Sequence, residues 1–183
     1  MILVWFEIGK SLRGDCRNNE RDFPITTLAL YQPDIPQNAA TIVRMGACLG
    51  VPVALIGPAG FDASDSGFRR AGMDYLERGE ITVHASFAAF DEVRRRDGRR
   101  LVLLTTRGVV PYTDFQFSPE DVLMLGRESA GVPDAVHGIA DARIVVPMRP
   151  GLRSLNVAVA AAMVIGEALR QTSGFTPLAI EHA

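Results

Sequence analysis

The segment TTLALYQPDIPQNAATIVRMGACLGVPVALI, residues 26–56, predicts the fold of this chain. It opens with an apolar run at 26–31 that predicts a β-strand, and it ends with a second such run at 51–56. Between these runs, apolar residues recur with a helical period over 37–50. A strand, a helix and a strand in this order form a βαβ unit, whose two strands lie parallel in one sheet. We therefore expect an α/β protein.

The same alternation of strands and helices continues beyond this unit. Further helices are predicted at 64–73 and 87–96. Further strands are predicted at 81–84, 101–106, 122–125 and 143–147. Strands separated by helices predict a mostly parallel sheet with helices on both faces. Ligands bind such sheets at the carboxyl ends of the strands, which here lead into loops rich in Gly, Pro, Ser and Asn.

Length and composition indicate a single folded domain. The chain has 183 residues, of which 48% are hydrophobic and 22% charged, and this excludes a disordered or collagen-like chain. We expect one domain over 25–172, preceded by an N-terminal extension of unknown role at 1–24 and followed by a C-terminal tail at 173–183. The net charge of -2 argues against nucleic-acid binding through bulk charge, although it is compatible with a local basic patch.

The cysteine, histidine and hydropathy patterns argue against several other classes. Cys16 and Cys48 lie far apart in the sequence, and His84, His137 and His182 have no metal-ligand spacing, so we expect neither a disulfide framework nor a metal site. No stretch approaches the roughly 20 apolar residues of a membrane helix, and the apolar N-terminus is too short for a signal peptide. The sequence therefore predicts a cytoplasmic protein that has no membrane partner.

A helix predicted near the C-terminus, at 154–171, is apolar on every face. Such a helix is expected to be buried on all sides. A terminal helix is hard to bury fully in so small a chain, so we expect it to form a subunit interface; the alternative is a central core helix. Its small residues would allow close packing: Ala158, Ala160, Ala161 and Ala162. We therefore expect a homodimer.

Three loop segments carry the polar residues of interest, and the first of them follows the first strand. It reads PDIPQN at 33–38, and Arg44 follows in the helix. Asn38 is predicted to cap this helix. A stripe at positions i, i+3 and i+7 is predicted to face the core: Ile42, Met45 and Leu49. Arg44 lies about 200° around the helix from Ile42. It is therefore expected to point away from the core, near the first turns of the helix.

The second and third segments follow two later strands. The second reads LGRESAGVP at 125–133, where two glycines let the backbone approach a ligand closely and Glu128 lies in the loop. The third reads VVPMRPGLRSLN at 145–156, and Ser154 or a near neighbour is predicted to cap the apolar helix that follows. The chain lacks the GxGxxG fingerprint, and Ser129 does not lie in a GxSxG motif. These absences argue against a conventional dinucleotide enzyme and a serine hydrolase.

In this order and spacing, the three segments resemble the signature motifs of the SPOUT superfamily of RNA methyltransferases, over 27–171. The stretches 30–38 and 69–75 are similar in particular to the tRNA (cytidine(34)-2'-O)-methyltransferase branch, which methylates the ribose of the wobble nucleotide. The resemblance implies a C-terminal trefoil knot whose loops bind S-adenosylmethionine. It also implies a cytoplasmic homodimer that acts on the anticodon loop of tRNA, with no DNA partner and no metal.

The resemblance also implies two groups of site residues. Those at the cofactor are Leu104, Gly126, Val146 and Ser154. Those at the catalytic centre are Arg44, Asn38, Glu128 and Asn156. A guanidinium stays protonated in essentially all protein settings. We therefore expect Arg44 to orient the target ribose and phosphate, and the other three residues to act as supporting polar groups.

Three alternative functions stay open from the sequence. The first is a SPOUT 2'-O-methyltransferase that acts on another tRNA position or on ribosomal RNA. The second is a non-catalytic RNA-binding or assembly protein. It is favoured by Val159 and Gly166, where related wobble enzymes often carry Asn and Tyr, and it is opposed by the intact polar set. The third is a flavodoxin-like small-molecule domain, which only the alternation of strands and helices supports.

Overall fold

The computed structural model describes residues 26–62, 66–72 and 74–177 of the chain. The predicted N-terminal extension and residues 178–183 of the predicted tail lie outside the described residues. The strands are β1 (Thr27–Tyr31), β2 (Val53–Ile56), β3 (Ile81–His84), β4 (Leu101–Leu104), β5 (Val110–Pro111), β6 (Val122–Leu125) and β7 (Ala142–Val145). The helices are α1 (Pro36–Leu49), α2 (Ser66–Gly72), α3 (Tyr75–Arg78), α4 (Phe87–Arg96), α5 (Asp134–Ile139) and α6 (Val157–Thr172).

Within the described residues, the strands form one sheet in the order β3-β2-β1-β6-β4-β7-β5. Neighbouring strands are parallel throughout the sheet. One face of the sheet packs against α1, α2 and α6, and the other face packs against α4 and α5. The predicted α/β architecture, with a parallel sheet and helices on both faces, is therefore confirmed.

The strands β1, β2, β4 and β6 each contribute to two separate hydrophobic cores, because successive side chains of a strand face opposite sides of the sheet. In β1, Leu28 and Leu30 belong to the core under α1 and α6, whereas Ala29 and Tyr31 belong to the core under α4. All five residues of β1 are buried. Strands covered on both faces read as continuous apolar runs. This is why the strands were visible in the sequence as runs and not as alternating patterns.

The structure corrects the cap predicted for the first helix, whereas the cap of the last helix falls on a near neighbour of Ser154, as predicted. The helix α1 begins at Pro36, so its N-cap is Ile35, and Asn38 lies inside the first turn without capping it. The final helix begins at Val157 and not at Ser154. Its N-cap is Asn156, whose side-chain oxygen accepts hydrogen bonds from the backbone N–H groups of the second and third residues after it, at 2.9 and 3.3 Å.

Several predicted boundaries also change. The predicted helix at 64–73 corresponds to α2, at Ser66–Gly72, and the short helix α3, at Tyr75–Arg78, follows it outside the predicted range. The predicted strand at 101–106 ends at Leu104, and the one predicted at 143–147 is β7, at Ala142–Val145. The two-residue β5 and the six-residue α5 do not follow from the sequence pattern. Both are shorter than the window in which a hydrophobic period can be counted.

The helix α6 buries one face within the chain and exposes another. Its buried residues are Ala161, Val164, Ile165, Ala168 and Leu169. Val159 is 50% exposed and Met163 38%, and Leu155, just before the helix, is 42% exposed. A single chain therefore does not bury α6 on every side, because the sheet and α1 cover only one face of the helix. An apolar stripe at a spacing of four residues remains on the outside.

Candidate active site

Three neighbouring strands end at one cavity. The strands β6, β4 and β7 are adjacent in the sheet, so the loops that follow them meet at the same edge. These loops line a cavity of about 440 Å³, together with Asn38 and the residues just before α6. This volume lies in the range of small-molecule sites, roughly 300–1,000 Å³. The cavity thus occupies the place where parallel α/β sheets bind their ligands.

The four residues predicted to contact a cofactor all line this cavity. Leu104 is the last residue of β4, and Val146 directly follows β7. Gly126 directly follows β6, and Ser154 lies in the segment before α6. The structure therefore brings together four positions from three connections, those that follow β4, β6 and β7, and their contact with a cofactor stays a prediction.

The loop after β6 closes on itself so tightly that it requires glycine at Gly126. A Cβ atom at this position would lie 2.7 Å from the carbonyl carbon of Gly131 and 2.8 Å from its Cα. The two ends of the loop are joined by reciprocal backbone hydrogen bonds of Arg127 and Gly131, at 3.0 and 2.8 Å. Gly131 has a φ of 66°, which favours glycine for a separate reason. Residues 127–131 therefore form a narrow loop that presents Glu128 at its tip.

Three of the predicted catalytic residues form a chain of side-chain hydrogen bonds at the cavity. The Nδ2 of Asn38 donates to Oε1 of Glu128 at 3.1 Å, and the Nδ2 of Asn156 donates to Oδ1 of Asn38 at 3.0 Å. Asn156 uses its own oxygen to cap α6. The chain connects the start of α1, the loop after β6 and the start of α6. It therefore fixes the relative positions of all three sequence motifs.

A second carboxylate, Asp34, contacts Glu128 in a reciprocal arrangement. The N–H of Asp34 donates to Oε2 of Glu128 at 3.2 Å, and the N–H of Glu128 donates to Oδ1 of Asp34 at 3.1 Å. The hydroxyl of Ser129 donates to the other oxygen of Asp34. Burial, and then the contact with Asp34, raises the pKa of Glu128. The hydrogen bonds from Glu128 and Ser129 lower the pKa of Asp34 to about 2.

The structure places Arg44 outside this cavity. It lies in the second half of α1 and not near its first turns, about 9 Å beyond Asn38 along the helix axis at 1.5 Å per residue. Its side chain is exposed, and the guanidinium carbon lies 5.1 Å from the centre of the Tyr75 ring. Arg44 thus points away from the core as predicted, but within one chain it does not join the other three predicted catalytic residues.

Two arginines that sequence reasoning did not single out as site residues also line the cavity. Arg127 precedes Glu128 in the narrow loop, and its Nε lies 3.6 Å from Oδ2 of Asp34. Arg153 lies in the segment before α6. Nearly all basic residues of this chain are arginines, since Lys10 is the only lysine, so an arginine at either position did not stand out in the sequence. The cavity therefore combines one carboxylate, Glu128, with two guanidinium groups.

The described part of the chain holds no cluster of three or more His, Cys, Asp or Glu residues suited to a metal ion. Over the same residues, no helix has the length and apolar character needed to cross a bilayer.

The fold and the cavity define a class of protein: an α/β domain with a ligand site at the carboxyl ends of three adjacent parallel strands. The model of the SpoU rRNA Methylase family matches residues 26–166, which contain all three motif segments. The chain belongs to this family. The resemblance to RNA methyltransferases drawn from the three motifs is therefore confirmed.

Individual relatives agree with this membership. A protein of Ancylobacter novellus named tRNA (cytidine(34)-2'-O)-methyltransferase is 65% identical over 148 residues, which cover 81% of this chain and 94% of its own length. A solved structure described as "Structural insights into the 2-OH methylation of C/U34 on tRNA" is 41% identical, with a TM-score of 0.78, and covers 82% of this chain and 97% of its own. An AdoMet-bound rRNA methyltransferase from Sinorhizobium meliloti is 28% identical, with a TM-score of 0.75, and the match covers 81% of this chain and 57% of that one.

Proposed function

We propose that the protein is a tRNA 2'-O-methyltransferase that uses S-adenosylmethionine to methylate the ribose of the wobble nucleotide, cytidine or uridine 34. The observation that carries the proposal is the convergence of three motifs on one cavity through the chain Glu128, Asn38 and Asn156. The substrate is supported by the names of the relatives, which cover most of the chain at 65% and 41% identity. The proposal places the reaction in the cytoplasm, where tRNA is found.

The cavity fits S-adenosylmethionine in size and in the chemistry of its lining. Its volume of about 440 Å³ suits a small organic molecule, and much of its lining comes from strand ends whose backbone groups point into the loops. Leu104, Gly126 and Val146 would hold the cofactor largely through backbone atoms, while Ser154 supplies a hydroxyl. When bound, the cofactor supplies an electrophilic methyl group on a sulfonium. The related rRNA methyltransferase from Sinorhizobium meliloti is described as AdoMet-bound.

The chain's own residues have to position a poor nucleophile. A ribose 2'-hydroxyl reacts at neutral pH only if it is held in line with the methyl group and loses its proton. Asn38 and Asn156 are held by their mutual hydrogen bond and by Glu128, so their amides form a fixed polar edge beside the cavity. Arg44 remains protonated and exposed, so it is suited to a phosphate and ribose outside the cavity mouth and not to the cofactor.

The proposal includes a homodimer formed through α6. The support is the exposed apolar stripe of Leu155, Val159 and Met163, which lies next to the residues that line the cavity. Association would cover this stripe and complete the burial of α6. Sedimentation of Val159→Arg beside the parent protein tests the dimer, since a charge on the stripe should yield monomers.

The trefoil knot also belongs to the proposal, and it is supported by the meeting of the loops after β4, β6 and β7 at one edge of the sheet.

The deciding experiment maps the methylated nucleoside. Purified protein, S-adenosylmethionine and unmodified tRNA transcripts are incubated, and nucleosides are analysed by mass spectrometry after site-specific digestion. We expect a 2'-O-methyl group at position 34. Methylation at another tRNA position, or of ribosomal RNA fragments only, would instead favour the alternative SPOUT function. Failure to bind the cofactor would favour the non-catalytic alternative.

The same assay tests Arg44. We expect Arg44→Ala to lower single-turnover methyl transfer on the order of 100-fold, because a misplaced ribose loses in-line geometry. Cofactor affinity should stay unchanged, since Arg44 lies outside the cavity. The matched control is Arg96→Ala, an exposed arginine on α4 at the other face of the sheet. Parent-like turnover of Arg44→Ala would remove this residue from the proposed site.

A further inference from the structure

Asp34 is not one of the predicted site residues, yet it connects the first motif segment to the second. It occupies the loop between β1 and α1, its side chain is 17% exposed, and it is not among the residues that line the cavity. Its carboxylate accepts hydrogen bonds from the backbone N–H of Glu128 and from the hydroxyl of Ser129. Both donors lie at the tip of the narrow loop 127–131. Asp34 therefore holds a loop that is 94 residues away in the sequence.

The contact also controls the direction of the Glu128 side chain. The backbone N–H of Asp34 donates to Oε2 of Glu128, while the Nδ2 of Asn38 donates to Oε1. These two donors lie on the same short segment, so the Glu128 carboxylate is held from one side by the start of α1. Without the Asp34 carboxylate, the N–H of Glu128 and the hydroxyl of Ser129 would lose their acceptor, and the loop would keep the contacts of the Glu128 carboxylate and the backbone pair of Arg127 and Gly131.

The charged groups around Asp34 and Glu128 favour the ionised form of Asp34. The guanidinium of Arg127 faces Asp34 from the same loop as Glu128, and Arg153 lines the cavity from the segment before α6. Asn38 contacts Glu128 from α1, and Asn156 contacts Asn38 from the start of α6; neither side chain carries a charge. Because the pKa of Asp34 is lowered to about 2, this side chain is a permanent anion at neutral pH. It can therefore act as a constant acceptor for the loop.

We infer that Asp34 is a positioning residue for methyl transfer, whose carboxylate fixes the 127–131 loop and thereby aims Glu128 at Asn38 and the cavity. The inference rests on the proposed function, since it assigns Asp34 a part in that reaction. Asp34 acts through Glu128 and does not touch the cofactor or the ribose, because it lies behind the loop and outside the cavity lining.

The test compares three variants in single-turnover methyl transfer with saturating cofactor and tRNA. Asp34→Ala removes every side-chain acceptor, and we expect the rate to fall about 10- to 100-fold, as for a misplacement near 1 Å. Asp34→Asn keeps one acceptor oxygen for the N–H of Glu128, so it should recover part of the lost rate. The matched control is Glu92→Ala, an exposed carboxylate on α4, which should behave as the parent.

A second readout does not depend on RNA. Hydrogen–deuterium exchange of the amides at 127–131 should speed up in Asp34→Ala, because the Glu128 amide loses its acceptor, while β6 and α1 stay protected. Asp34→Asn should exchange more slowly than Asp34→Ala. If the parent protein methylates no tRNA, the proposed function fails, yet the exchange result still decides whether Asp34 holds the loop.

A third readout separates positioning from simple loss of structure. Burial and then the Asp34 side chain raise the pKa of Glu128, so Asp34→Asn, which removes the carboxylate, should lower that pKa and move the acid limb of the rate profile to lower pH. Parent-like rates with parent-like loop exchange in Asp34→Ala would overturn the inference. A lost rate with unchanged exchange at 127–131 would also overturn it, because Asp34 would then act by some other contact.

Discussion

At the amino ends of the central strands, arginine and aspartate side chains close the sheet, whereas at the carboxyl ends glycine loops and amide side chains leave a cavity open. Asp121, which precedes β6, is fully buried. It accepts hydrogen bonds from two nitrogens of Arg100 at 2.6 and 2.8 Å, and from the backbone N–H of Ser118 at 2.9 Å. Arg100 itself precedes β4, so this ion pair joins the starts of two neighbouring strands.

A buried arginine, Arg94, also contributes to this end of the sheet. Arg94, at the end of α4, is 7% exposed and donates to the carboxylates of Asp91 and Asp141. Asp141 precedes β7 and also accepts the backbone N–H of Leu101 at 2.7 Å. Arginine is suited to these positions because its planar group satisfies several acceptors at once. The starts of β4, β6 and β7 are thus held together by charge-assisted hydrogen bonds.

The difference between the two ends indicates a division of roles within one sheet. At the amino ends, each ion pair buries at least one charged group, Asp121 or Arg94, and removing the partner of a buried charge is costly. At the carboxyl ends, polar groups stay half-buried beside a cavity, where they remain available to a ligand. We therefore expect substitutions at the carboxyl ends to change binding and turnover, and substitutions at the amino ends to change stability.

The largest effect is expected from Gly126→Val, at the open end. A side chain there would meet the backbone of Gly131 at 2.7 Å, so the loop must shift into the cavity or open. We expect cofactor affinity to fall by at least about 1,000-fold, equivalent to about 4 kcal/mol. Calorimetric titration with S-adenosylmethionine measures this. The matched control is Gly138→Val on α5, where an added Cβ meets nothing within 4 Å, and its affinity should equal that of the parent.

The next effect is expected from Asp121→Ala, at the closed end. This change removes the acceptor of the Ser118 N–H and the carboxylate partner of Arg100, which keeps the carbonyl of Gln116, so the free energy of unfolding should fall by about 2 kcal/mol. Denaturant unfolding followed by circular dichroism measures the loss. Below the unfolding transition, cofactor affinity should stay within about twofold of the parent, because the cavity lies at the opposite edge. A large loss of cofactor affinity with unchanged stability would contradict the division of roles between the two ends of the sheet.

A smaller and graded effect is expected from pH. Burial raises the pKa of Glu128, so its carboxyl gains a proton at a higher pH than an ordinary glutamate as the solution is acidified. The ionised form accepts the hydrogen bond of Asn38, and protonation weakens that contact. Turnover should therefore fall up to about tenfold per pH unit below the Glu128 pKa, as for one titrating group. Glu128→Gln should have a lower rate at neutral pH and should lack this acid limb.

The smallest effect is expected from Asp134→Ala, at an exposed ion pair. Asp134 and Arg107 are 2.7 Å apart, but their side chains are 86% and 63% exposed. Water screens such a pair, so its removal contributes little. The unfolding midpoint should match that of the parent in the same denaturant experiment. This variant is also the control for Asp121→Ala, since both remove an aspartate that pairs with an arginine, and only burial differs between them.

The sequence identified the parts of the site that depend on local pattern. The three motif segments lie at strand ends, and the four residues that the family resemblance implied for the cofactor all line the cavity: Leu104, Gly126, Val146 and Ser154. The resemblance also implied Asn38, Glu128 and Asn156 as polar site residues, and the hydrogen bonds that join them came from the structure. The predicted cap at Asn38 was wrong because Pro36 starts the helix two residues earlier.

The contacts that sequence reasoning missed all join distant segments. Asp34 meets Glu128 across 94 residues, and Arg94 meets Asp141 across 47. No local period marks such pairs, because they depend on the order of the strands in the sheet. Incomplete burial of α6 by its own chain was expected from the sequence, but which of its apolar residues stay exposed came only from the structure.

The sequence by itself determined the alternation of strands and helices, the parallel α/β class and the three loops that carry the site, because each depends on neighbours a few residues apart. Only the tertiary structure decided which groups share the cavity, that Arg44 lies outside it within one chain, and that Asp34 supports the Glu128 loop. The physical reason is that β6 inserts between β1 and β4. This insertion sets the loop after β6 beside the start of α1, and no pattern within either segment specifies that pairing.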